Sequence, residues 1–126
     1  MVRWTFRFGF VVAALLLAVA CQSEAERLQA ETVYHMEMAV QILERAAGNT
    51  EAAIDGLDKY LKEHEQRLLE LRSMGASVLS RMSDDERARF RQRSMDRARA
   101  VRERIDTLAR TFPDPPRILV KVSQFM

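Results

Sequence analysis

Between Cys21 and Phe112 the chain contains no proline; its three prolines stand together at Pro113, Pro115 and Pro116. Proline lacks a backbone N–H and clashes with the preceding turn, so it breaks helix interiors. So long a stretch without one is free to be helical throughout. Two punctuation points divide it. Gly48-Asn49-Thr50 offers a glycine for a helix end and Asn49 or Thr50 to cap the next helix. Ser83-Asp84-Asp85-Glu86 has capping-box spacing and sets three acids against the positive end of a helix dipole. Ser23 and Glu26 repeat that spacing upstream. The punctuation predicts helices over 24–47, 50–82 and 84–111.

Apolar periodicity supports the same division. In the second segment Ile54, Leu57, Leu61, His64, Leu68, Leu71, Gly75, Val78 and Met82 follow an unbroken 3-4 spacing, a heptad seam. The first segment has a broader arc of Leu28, Val33, Met36, Ala39, Val40, Leu43, Ala46 and Ala47. The third has a narrow stripe of Phe90, Ala98, Val101, Ile105, Leu108 and Phe112, with Ser94 in line. None of these helices can hide its stripe alone, and short connections make neighbours antiparallel. The expected fold is all-α: an elongated antiparallel three-helix bundle, up-down-up, its second helix ~50 Å long. Past the prolines, Arg117 to Phe125 is apolar and β-prone. Residues 113–126 therefore read as an extended tail. It either lies along the bundle over an exposed groove, frays, or adds to the sheet edge of an envelope protein partner.

Charge narrows the partners. The formal net charge of +2 resides in Arg3 and Arg7, since the chain from Cys21 onward carries equal numbers of acids and bases. The first predicted helix is net −3 and the third net +3, which favours placing them side by side. Arg87, Arg89, Arg91 and Arg93 alternate in the text, but alternate residues of a helix do not share a face. Arg89, Arg93, Arg97 and Arg104 instead flank one side of the apolar stripe, suited to meet Glu26, Glu37 and Glu44. Arg91, Arg99 and Arg102 flank the other side. A nucleic-acid partner is excluded on these grounds.

The first twenty residues read as an address. Met1 to Arg7 is a short positive region, and Phe8 to Ala20 is an uncharged apolar run of 13 residues. That is short for a permanent span of a ~30 Å hydrocarbon core and has signal-peptide proportions. The string Leu17-Ala18-Val19-Ala20-Cys21 resembles the lipobox of bacterial lipoproteins, with Ala18 where Leu is usual. The resemblance implies removal of 1–20, covalent lipid on Cys21, and a lipidated body over 21–112. Gln22 after the Cys implies the outer membrane, facing the periplasm or the cell surface. The alternative is an ordinary secretory signal cut after Ala18-Val19-Ala20. A single Cys makes no internal disulfide in either case.

Few residues offer chemistry. There is no Gly-rich phosphate loop, His-x-x-x-His pair or legible nucleophile–base set, so an enzyme with a small-molecule substrate is not expected. His35 and His64 lie at equal distances from the first turn, which sets them level in an antiparallel pair, with His64 in the seam and His35 at the edge of the first segment's apolar arc. With Met38, three residues beyond His35, they form a candidate site for copper or zinc, although Met36 is expected to face the core and Met38 the opposite side. The alternative is a polar layer fixing bundle register. The layout resembles small helical lipoproteins of deltaproteobacteria, through the lipobox, the Gly48-Asn49-Thr50 turn and Met82-Ser83-Asp84-Asp85-Glu86. That last string also resembles, more distantly, the periplasmic helical proteins of the Spy and CpxP type. Three functions follow as expectations. The first is a membrane-tethered, non-enzymatic structural or protein-interaction module. The others are a chaperone-like or stress-related binding protein, which needs an exposed apolar concave face, and a metal-binding lipoprotein.

Overall fold

The computed structural model describes the backbone of residues 2–126 and the side chains of residues 23–126. Helix α1 runs Val2–Ala46, α2 Thr50–Ser80, α3 Asp84–Ala109 and α4 Pro115–Val122, followed by a 3-10 turn over Ser123–Phe125. All regular structure among the described residues is helical. The expected start at 24 is overtaken, because α1 passes through Ser23 without a break. The residues before it are mainly helix-tolerant Ala, Leu and Val, so nothing in the sequence stops the helix there.

The turns use the residues that local chemistry selects. Ala47 and Gly48 both take positive φ (48° and 83°), reversing the chain after α1. The Asn49 side chain then accepts from the Ala52 N–H at 3.1 Å and caps α2. Ser83 caps α3 by accepting from the Glu86 N–H at 3.2 Å.

Helix α1 is the spine, packed against both α2 and α3. Its ion pairs give the directions. Glu31 meets Arg67 and Glu24 meets Arg81, so α1 and α2 are antiparallel. Glu26 meets Arg97 and Glu44 meets Arg104, so α1 and α3 are parallel and adjacent. Two of the three acids assigned to helix-edge pairing thus find arginines of α3. These pairs are largely exposed and contribute little stability each, on the order of 0–1 kcal/mol. They set which helix neighbours which.

The C-terminal segment departs from expectation. Residues 115–122 form a helix and not an extended tail. Asp114 caps it by accepting from Arg117 N–H, and Pro115 and Pro116 occupy the first turn, where a missing N–H costs nothing. Ile118, Val122 and Phe125, at i, i+4 and i+7, are all buried. Arg117–Glu51 (2.6 Å), Lys121–Asp58 (2.6 Å) and the Arg72 guanidinium donating to the Gln124 carbonyl (2.7 Å) run in step along α2. So α4 is parallel to α2 and fills the gap between α2 and α3. The bundle has four helices at this end and three at the other. The main core (Met36, Val40, Leu43, Leu57, Val101, Ile105, Ile118 and Phe125 among others) lies in the four-helix half. A smaller cluster of Ala25, Leu28, Leu68, Leu71, Val78, Met82 and Phe90 holds the three-helix half.

Candidate functional site

Two features stand out from the packed helices: a polar cluster at the junction of the two halves, and an apolar groove just beyond it.

The cluster is built on the level placement of the two histidines. His35 and His64 face each other edge-on, with ring centroids 5.7 Å apart. Both reach Tyr60, one turn before His64 on α2. The Tyr60 hydroxyl lies 2.6 Å from His35 Nδ1, and His64 Nδ1 lies 2.9 Å from the Tyr60 carbonyl. The Tyr60 ring stacks on His64 (3.9 Å) and on Phe125 (5.3 Å). His35 is 4% exposed, and it is buried together with Tyr60. It belongs inside the core and not at the edge of the α1 arc.

Burial acts on two members of this cluster, Tyr60 and His35. Burial pushes the Tyr60 hydroxyl up to about 12, so it stays a donor. Burial is also the main force lowering the His35 pKa, with His64 adding to it and Glu31 opposing. His35 is therefore neutral near pH 7. Its Nε2 points towards Glu31 Oε1 at 4.0 Å, too far for a hydrogen bond, and has no other partner. A carboxylate favours a ring N–H on that side, so Nδ1 accepts from Tyr60 and Nε2 carries the proton. Glu31 itself is held by Arg67 through two bonds of 2.6 and 2.7 Å, which lower its pKa. The arrangement is a polar layer joining α1, α2 and the C-terminal turn. What it can do chemically is titrate.

Met38 is partly buried against the main core, not turned to the opposite side, because α1 is covered by α2, α3 and the C-terminal turn together. Both histidine Nδ1 atoms are engaged with Tyr60, and with its proton on Nε2, His35 presents no free lone pair to a metal. Among the described residues no three His, Cys, Asp or Glu side chains gather in a metal-holding group. Cys21 lies outside the residues whose side chains are described. Among the described residues no helix is long and apolar enough to cross a membrane.

The groove opens where α4 ends. It is an open groove of about 400 Å³ between α2 and α3, lined also by α1 and by Met126. Leu28, Val33, Met36, Leu71, Leu79 and Phe90 supply most of its wall, and Arg91, Ser94 and Arg102 stand along its α3 side. Sequence reasoning found neither Tyr60 nor this groove. The i, i+4 relation of Tyr60 to His64 was the available signal for the first.

No protein-family model, curated protein or solved structure matches this chain.

Proposed function

We propose that the protein is a lipid-anchored helical module of the bacterial cell envelope that acts by binding and positioning, without catalysis. The observation that carries this reading is the lipobox-like string ending at Cys21, directly after a 13-residue apolar run and a basic start. Stable anchoring needs about two acyl chains, which lipid on Cys21 supplies. The body supports the same reading. The charges of its acidic and basic helices meet each other at the exposed pairs Glu26–Arg97 and Glu44–Arg104, which argues for self-assembly of the bundle over recognition of a polyanion. Its most polar buried cluster, His35 with Tyr60 and His64, is engaged within itself and covered by the C-terminal turn through Phe125. In sorting, Gln22 favours the outer membrane.

Fractionation of an envelope-containing host tests the anchor. The full chain is expected in the membrane fraction, resistant to high salt and alkaline carbonate. The Cys21→Ala chain is expected to lose that resistance. Equal retention of both chains would overturn the reading.

A further inference from the structure

The three-helix half carries an open groove whose length and lining point to an occupant. Arg91 and Arg102 stand on one strip of α3, with Met95 and Ala98 between them. Eleven residues of helix separate them, ~16 Å at 1.5 Å per residue. An extended alkyl chain running from one guanidinium to the other spans this length, and the groove between them holds about 400 Å³.

The lining agrees with the dimensions. Leu28, Val33, Leu71, Leu79 and Phe90 are apolar, and Met95, 55% exposed, lies at the open edge. Gly75 deepens the wall, because a Cβ placed there would touch nothing within 4 Å. The polar groups are few: Gln29 and Thr32 on α1 are engaged with Arg97 and with the Leu28 carbonyl, which leaves Arg91, Ser94 and Arg102 of α3. Arg97 and Arg104 of α3 are taken by Glu26 and Glu44, whereas Arg91 and Arg102 form no ion pair among the described residues. The buried Ser94 Oγ, between them in the wall, has no hydrogen-bond partner there either. An apolar slot with a free guanidinium at each end and an unsatisfied hydroxyl within is complementary to a long-chain anion.

The geometry points to the α2–α3 groove as a binding site for a single-chain anionic amphiphile of the long-chain fatty acid class. The alkyl chain lies against Leu28, Leu71, Leu79 and Phe90, and the carboxylate pairs with Arg91 or Arg102, one for each direction of entry. The site does not require lipid on Cys21.

Photocrosslinking with diazirine-bearing palmitate tests this on the full chain reconstituted in phosphatidylcholine vesicles. Label is expected to concentrate on peptides containing Leu28, Leu71–Leu79 and Phe90–Ala98. Gly75→Leu, which projects a side chain into the groove at an open position, should reduce that label at least fivefold while helical content is retained. The matching diazirine alcohol should label several-fold less than the acid, and Arg91→Gln combined with Arg102→Gln should erase the difference. Label spread evenly along the chain, or unchanged by Gly75→Leu, would overturn the site. Equal labelling by acid and alcohol would overturn its anionic specificity. Labelling that appears only in the Cys21→Ser chain would give the groove to the protein's own lipid and end the proposal.

Discussion

The hydroxyl of Tyr60 on α2 lies 2.6 Å from Nδ1 of His35 on α1, inside the core. With Tyr60 protonated and His35 neutral, this is a donor–acceptor pair joining the two longest helices at one height. Removing the hydroxyl while keeping the ring leaves His35 Nδ1 buried and unsatisfied, which costs about 1–3 kcal/mol. Tyr60→Phe should lower stability by that amount in denaturant unfolding. Tyr60→Phe combined with His35→Leu should recover part of the loss, since both polar partners are then gone.

Burial lowers the His35 pKa below its ordinary 6.5, with the positive tendency of His64 and Arg67 adding to this and Glu31 opposing it. The unfolded chain therefore binds a proton at His35 more readily than the folded chain. Its contribution is fully present above about pH 6.5 and is lost as pH falls from there through the lowered folded value. Glu31, held low by Arg67, loses its contribution in a separate and more acidic window, below its ordinary 4.5. The melting temperature should be level from pH 8 to 7 and fall below pH 6.5. His35→Gln should flatten the first decline and leave the second.

Two glycines of α2 should respond oppositely to alanine. At Gly56 a Cβ would fall 2.8 Å from Ile42 Cγ2, a stiff branch on the facing helix, so close packing of α1 on α2 depends on its absence. Overpacking of this kind costs about 1–3 kcal/mol, more than the helix propensity gained. At Gly75 nothing is in the way, and alanine should stabilise by about 0.5–1 kcal/mol. Urea midpoints of the two variants, moving in opposite directions, check this.

The C-terminal helix holds the four-helix half closed. Phe125 is 2% exposed and stacks on Tyr60. Phe125→Ala should cost about 3–5 kcal/mol. Its effect should be concentrated in amide exchange of residues 54–61 and 98–112, with residues 68–82 little changed.

Where the sequence was a good guide, the periodicity was strong and local. Phe90, Ala98, Val101, Ile105 and Phe112 are buried as their spacing predicts, and Ser83 caps α3 as its neighbours suggest. The C-terminal segment misled because Ile118, Val120 and Val122 prefer strands in isolation. The i, i+4, i+7 spacing of Ile118, Val122 and Phe125, with burial against α2 and α3, overrides that preference. Val120, 66% exposed, is the β-branched residue left outside. His35 was misplaced by one step of the α1 arc, because an arc covered on three sides is wider than a two-helix seam. The groove was not legible at all. It lies between α2 and α3 beside the docked C-terminal turn, and no local pattern encodes how far a docked segment covers its neighbours.

Mass spectrometry of the mature chain, purified from the envelope of a Gram-negative host, tests the central proposal most directly. The account predicts an N-terminal peptide that begins at Cys21 and carries diacylglycerol on its sulfur and an acyl chain on its amine. An N-terminal peptide that begins elsewhere, or that contains an unmodified Cys21, would contradict it.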